Sequence, residues 1–227
     1  DSPEHPDPEG IQLDLLARTL DAESAKFRQA PAAGRFRGFA EVGVFWDWGS
    51  LLQRGPPAAD LGSRRLLPAP GRTPSEQAAF EYARRETMDL WFAHQGTTVL
   101  LLTQHPRERG GSRLAGHEDS GWPSFERCCA GQMSGRFWSE ARWHAALRLD
   151  GAGARALPAA WPVAPNDFDE MVDSKHFSEP EDCAVVKALF RRSCESQLGG
   201  MRDFKFFSPV PAPCPAEAER LGACLAL

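Results

Sequence analysis

Val42-Gly43-Val44-Phe45-Trp46-Asp47-Trp48 is the stretch on which the fold turns. It is short, apolar and rich in β-forming side chains, and reads as a buried strand ending at Asp47. Upstream, Ile11, Leu15, Leu16 and Leu20 recur at helical spacing, so Glu9–Arg28 reads as an amphipathic helix that Pro31–Gly38 breaks. Downstream, Gly55–Pro70 is a loop of Gly and Pro. Thr73-Pro74-Ser75-Glu76 then has the form of a helix start, with Thr73 as N-cap, Pro74 in the first position and Glu76 closing a capping box. Phe80, Ala83, Thr87, Met88 and Trp91 mark one face of that helix, which is expected to run to about Ala93.

Thr97-Thr98-Val99-Leu100-Leu101-Leu102-Thr103 reads as a second strand. It shows no polar alternation, which suits a strand covered on both faces, as in parallel sheets. Pro106–Ser120 is polar and Gly-rich and reads as a surface loop. Trp122–Met133 reads as a helix with Pro123 in its first turn. Phe137–Leu149 fits either helix or strand, and Gly151–Pro165 reads as a linker. Asp167–Val172 and Pro180–Gln197 read as helices, the second with Val185, Val186, Leu189 and Phe190 facing inward. Four prolines fall within residues 209–215, so the tail is expected to pack loosely. Strands separated by helices imply a parallel sheet. Ligands then sit beyond the carboxyl ends of the strands, at Asp47 and the loop after Thr103.

Composition narrows the function. Across 227 residues, 26 basic and 31 acidic side chains give a net charge of -5, with no run of five or six like charges. No concentrated basic face is visible, which argues against a nucleic-acid partner. No apolar run approaches the ~20 residues needed to span a bilayer, so no membrane partner is expected. The acidic, Pro-rich opening Asp1–Gly10 does not read as a signal peptide. A cytoplasmic protein is the expectation.

The six cysteines form no Cys-x-x-Cys pair, and with the histidines they complete no zinc pattern, so no metal site is expected. They read as reduced and structural, with a Cys214–Cys224 disulfide as the alternative near the C-terminus. Dinucleotide-binding glycine fingerprints, P-loops, zincin motifs and nucleophile elbows are all missing from the sequence.

Three features remain. Asp47, with Ser50 and Gln53, places a carboxylate and two polar side chains at a strand end. Such a group can orient a ribose, or Asp47 can cap the next turn while Ser50 starts a helix. In Gly121-Trp122-Pro123-Ser124-Phe125-Glu126, Trp122 and Glu126 lie four apart and share a helix face. A Glu beside an aromatic ring can stabilise the cation left when a glycosidic bond breaks. The ordinary alternative is a helix start whose Trp packs in the core and whose Glu meets solvent or an Arg. His94, His105, His117 and His144 are the third feature and read as surface residues.

Taken in order, Phe45-Trp46-Asp47, the apolar Val99–Leu102 and the helix opening Trp122-Pro-Ser-Phe-Glu126 resemble the Toll/interleukin-1 receptor (TIR) domain family. The fuller pattern, Val-Phe-Trp-Asp-Trp-Gly-Ser-Leu-Leu-Gln and then Gly-Trp-Pro-Ser-Phe-Glu, looks like TIR-like proteins of protists and algae. The likeness spans roughly Ile11 to Met133, and Phe168–Phe190 looks like a further segment those proteins share. Pro123 stands where the family usually has Cys. The resemblance implies a three-layer α/β sandwich with a parallel sheet, TIR- or flavodoxin-like, whose first strand would precede Ile11. Residues 1–150 would form this domain, 151–208 a helical extension packing on it, and 209–227 the Pro-rich tail.

The resemblance also implies chemistry. Glu126 would be the catalytic residue of an NAD+ nucleosidase that releases nicotinamide hydrolytically. Asp47, Ser50 and Trp122 would lie against the substrate. NAD would be a substrate, with no cofactor required. The alternative is a signalling or scaffold module that acts by self-association, without turnover. The enzyme reading expects Glu126 in a concave pocket with a raised pKa. The scaffold reading expects Glu126 exposed or ion-paired, beside an apolar surface patch.

Overall fold

The computed structural model describes residues 7, 9–28, 42–51, 71–94, 97–103, 117–133, 146–150, 153–157 and 162–198, with 215, 218, 219 and 222. In chain order the elements are α1 (Ile11–Arg28), the one-turn α2 (Asp47–Ser50), α3 (Pro74–Glu86), α4 (Met88–Ala93) and β1 (Val99–Leu102). A 3-10 turn (His117–Asp119) leads into α5 (Gly121–Met133). Strands β2 (Ala146–Asp150) and β3 (Gly153–Ala156) follow, then α6 (Pro165–Asp173) and α7 (Asp182–Gln197). Among the described residues the chain is mixed α/β, with a small three-stranded sheet in the order β1-β2-β3.

Local chemistry sets the helix ends. The Thr73 hydroxyl accepts the Glu76 N–H at 3.3 Å, and the Glu76 carboxylate accepts the Thr73 N–H at 2.8 Å. With Pro74 in the first turn, this is the capping box expected from the sequence. The single helix expected to reach Ala93 is divided at Thr87. There φ is -127°, and the Thr87 hydroxyl donates to the Ala83 carbonyl at 2.7 Å. That back-bond competes with the helical ladder, and α4 starts afresh with Met88.

The sheet is mixed rather than all-parallel. β1 and β2 pair in parallel, with Val99 opposite Ala146 and Leu102 opposite Leu149. The connection passes through α5. β2 and β3 pair antiparallel, Leu147 opposite Ala156 and Asp150 opposite Gly153. Segment 151–165 is therefore not a plain linker, because it holds β3. Gly153, at φ +116°, adopts a backbone shape that favours glycine where the hairpin closes. Small side chains with a glycine gave no strand signal there.

Both faces of β1 are covered, as its unbroken apolar run suggests. Val99 and Leu101 pack with Ala130 of α5 and Ala146. Leu100 and Leu102 pack with Leu15 of α1, Leu147 and Leu149. A larger core lies among α4 to α7 and joins Met88, Phe125, Cys129, Phe168, Val172, Val186, Leu189, Phe190 and Cys194. Phe168 and Phe190 are fully buried and stack at 3.9 Å. Burying such a ring stabilises by about 1.5–3 kcal/mol. α5 belongs to both cores, so it ties the sheet to the helices of residues 165–197.

The decisive stretch departs most from expectation. Residues 42–46 lie outside the described sheet, and Asp47 opens α2 instead of ending a strand. Two contacts account for this. The Trp46 N–H is taken by the Ser50 hydroxyl at 3.1 Å, and the Ser50 N–H by the Trp46 carbonyl at 2.7 Å. A side chain that bonds its own neighbouring backbone diverts the chain from a ladder. Phe45 meanwhile stacks on Trp91 of α4 at 5.1 Å, which satisfies its apolar ring without strand pairing.

The readings at Pro31–Gly38, Gly55–Pro70, residues 106–116, residues 137–145 and the Pro-rich tail from Pro209 to Pro213 lie outside the described residues, as do Cys214 and Cys224. Cys128, Cys129, Cys183 and Cys194 are not disulfide-bonded. Among the described residues, no helix is long and apolar enough to cross a membrane.

Candidate functional site

The N-terminal turn of α5 is pinned from behind. The Gly121 N–H donates to the His176 carbonyl at 2.9 Å, and the His176 N–H to the Asp119 carbonyl at 2.8 Å. The Lys175 ammonium donates to the Glu118 carbonyl at 2.8 Å. This brings Phe177 so close that a Cβ on Gly121 would lie 1.9 Å from its ring. Glycine is therefore required here by close approach rather than by its backbone angles. Segment 175–177 supplies the pressure, and nothing in the sequence near Gly121 announces it.

With the turn fixed, Trp122 and Glu126 project together from α5. The Trp122 indole N–H donates to the buried Asp182 carboxylate at 2.8 Å. The other Asp182 oxygen pairs with Arg84, which also holds Glu81 at 2.8 Å. The indole meets Phe125 edge-on, with 5.8 Å between ring centres. Trp122 is thus locked by a hydrogen bond to a charged group, the stronger kind.

Glu126 and Trp122 line a cavity of about 820 Å³. α1 contributes Thr19, Leu20 and Glu23, and the extended segment contributes Val42 to Asp47. α4 contributes Trp91 and Phe92, the β1 region Thr97 to Leu102, and the turn before α5 His117. The cavity runs along β1, not solely beyond its carboxyl end. Its volume lies in the range of small-molecule sites.

Electrostatics single out Glu126. It is partly buried, and no side chain among the described residues donates a hydrogen bond to it. Its pKa is pushed up to about 8, first by withdrawal from water and then by the charge of Asp47. Both effects penalise the ionised form. Asp47 and Glu126 are therefore neighbours across one space, although 79 residues separate them in the chain.

The remaining candidates fall differently. Asp47 is exposed at the start of α2 and lines the cavity. Ser50 is exposed too, but its hydroxyl serves the Trp46 backbone, and it is not among the cavity-lining residues. The ordinary alternative, Asp47 as cap with Ser50 starting a helix, is not observed either: Trp46 is the N-cap and Ser50 is the last residue of α2. Gln53, His105 and His144 lie outside the described residues. His117, read as a surface residue, is half-buried and lines the cavity. Glu23 carries no motif signal, since on α1 it reads as one more polar helix residue. Among the described residues no cluster of His, Cys, Asp and Glu could hold a metal ion.

No protein-family model matches the chain, and comparison with curated proteins and with solved structures finds no significant match.

Proposed function

We propose that the chain is an NAD+ nucleosidase with a TIR-like α/β fold, hydrolysing the bond between ribose and nicotinamide. The observation that carries the reading is Glu126, which lines an aromatic cavity with its carboxyl strongly perturbed by burial and by Asp47. Perturbed carboxyl groups in clefts are the usual mark of a working site. The likeness of Phe45-Trp46-Asp47 and Trp122-Pro-Ser-Phe-Glu126 to the TIR pattern supplies the reaction class. The β1–α5–β2 unit, with α1 and α5 on opposite faces of the sheet, supports the fold assignment. Cysteines without disulfide bonds suit a cytoplasmic setting.

The chemistry asks for a negative group, not an acid. In NAD+ the pyridinium nitrogen already carries the positive charge. Breaking the C1′–N bond sends both electrons to nitrogen, so nicotinamide leaves neutral and the charge moves onto the ribosyl carbon. Glu126 in its ionised form stabilises that cation, or traps it, and water then adds to C1′ with loss of a proton. In the empty cavity at neutral pH Glu126 holds its proton, and the arriving pyridinium favours its release. Trp122 offers an apolar face whose orientation Asp182 fixes.

The test is nicotinamide release from NAD+ by the purified protein and by Glu126→Ala. Release by the parent and its loss in the variant support the reading. A folded parent that releases none at high NAD+ defeats it. Release that survives the substitution keeps an enzyme but removes Glu126 from the chemistry.

A second reading has its own support. Val42, Val44, Leu90 and Trp91 are exposed by 43%, 50%, 57% and 47%. Bulky apolar side chains at the surface suit a module that self-associates. Sedimentation of the parent against Leu90→Asp, which lies outside the cavity lining, tests it, since an assembly built on this surface dissociates in the variant.

A further inference from the structure

Asp182 does not line the cavity, yet a residue that does depends on it. Trp122 lines the space together with Glu126, while Asp182 and Arg84 stand behind it. The indole is held at two places. Its N–H donates to Asp182 Oδ2 at 2.8 Å, and its ring meets Phe125 edge to face, at 87°. An indole has a single donor, so that bond and that contact together fix the plane of the ring. The acceptor is held in turn. Asp182 Oδ1 pairs with Arg84 Nη1, and Arg84 Nη2 donates to the Glu81 carboxylate at 2.8 Å. The side chains of Arg84 and Asp182 are only 15% and 10% exposed. A buried pair of this kind is weak support for stability, and its better-attested use is to fix one arrangement over others. Asp182 also opens α7, whose N-terminal dipole favours the ionised form. An ionised acceptor gives the stronger bond to the indole.

We infer that Asp182 is a positioning residue of the site: acting through Trp122, and braced by Arg84, it holds the indole as the wall against which the substrate's pyridinium ring packs beside Glu126. The inference rests on the cavity being the nucleosidase site and adds to it a residue that never touches the substrate. It also makes the helices of residues 165–197 part of that site, since the indole answers to α7.

The test compares the parent with Asp182→Asn, Trp122→Phe and the double variant, each shown to be folded by circular dichroism. In the first, the amide offers one oxygen to two donors, and the charged guanidinium takes it. In the second, a ring remains but no N–H. KM for NAD+ is expected to rise about fivefold or more in either single variant, as loss of aromatic stacking does, and no further in the double variant. A smaller folded fraction would instead lower kcat and leave KM unchanged. The carbon-13 signal of the Glu126 carboxyl gives a second readout that needs no turnover. Its midpoint, about 8 in the parent, is expected to move toward 4.5 in both single variants, as water reaches the carboxyl. Glu23, Asp47 and His117 also line the cavity and are left in place throughout. In the Trp122→Phe background, Asp182→Asn is expected to move the midpoint no further, which separates an effect through the indole from the direct loss of a charge. Arg84→Lys gives up the guanidinium fork. It is expected to show the same changes in smaller measure, and it carries the test if Asp182→Asn does not fold. An unchanged KM, a midpoint that stays in place, or one that moves equally in the Trp122→Phe background overturns the inference. A parent that releases no nicotinamide removes the nucleosidase reading, and the midpoint then decides the role of Asp182 alone. Release with KM and midpoint both unmoved does the reverse.

Discussion

The Trp122 indole N–H donates to the Asp182 carboxylate at 2.8 Å across 60 residues of chain. One bond therefore ties the cavity wall to the first residue of α7. Asp182 is buried and also receives Arg84, so the aromatic wall depends on an ion pair formed by two other helices.

That dependence is measurable. Trp122→Phe keeps most of the ring and deletes the donor, which should cost about 1.5–3 kcal/mol, as for hydrogen bonds to charged groups. Asp182→Ala also leaves Arg84 with Glu81 alone and should cost more than Trp122→Phe, since two hydrogen bonds to a charged group are lost. In a double-mutant cycle by urea unfolding the costs should not add, because the partners share the interaction. Simple additivity would show that the bond contributes nothing.

Gly121→Ala should destabilise by about 1–3 kcal/mol, as overpacking does, since its Cβ would meet the Phe177 ring at 1.9 Å. Phe177→Ala in the same chain should restore tolerance to the alanine. Thermal melting of the two single variants and the pair decides it. If the pair is as sensitive to the alanine as the parent, the ring is not the obstacle.

Glu126 gives a pH-dependent stability of known sign. Its carboxyl holds its proton up to about 8 in the folded chain, against an ordinary 4.5. Between those values the folded state binds more protons than the unfolded state, so stability falls as pH rises through the window. Glu126→Gln removes the titration. The variant should match the parent near pH 4 and gain on it by about 1.4 kcal/mol per pH unit up to about pH 8. Urea midpoints at several pH values test this, and curves that stay parallel would place Glu126 in contact with water.

The same titration should shape turnover. With ionised Glu126 as the working form, kcat/KM for NAD+ should rise with pH and level off above about 8. Asp47→Asn removes the neighbouring charge that helps hold the proton, so the rise should move to lower pH. An unmoved profile would mean that another group sets it.

Much of the local structure was legible without coordinates. The capping box at Thr73–Glu76, the apolar β1 and the face of α7 that buries Val186, Leu189 and Phe190 each follow from neighbours a few residues apart. β3 escaped because Gly153, Ala154 and Ala156 offer a strand no large side chains, and its pairing with β2 supplies what they lack. At the site, the pairing of Trp122 with Glu126 on one face could be read from helical spacing. Ser50 misled, because a hydroxyl after an Asp looks the same whether it meets a ligand or its own backbone.

The sequence by itself determined where most helices begin and end, that β1 would be covered on both faces, and that Glu126 would stand beside an aromatic side chain. These depend on capping, periodicity and side-chain shape, which act over one or two turns. Tertiary structure alone decided that Phe45 stacks on Trp91, that Gly121 must be bare, and that Asp182 holds Trp122. It also decided that Asp47 raises the pKa of Glu126. Each of these needs a partner far along the chain, and both a charge's effect and a ring's fit depend on distances that spacing in sequence does not encode.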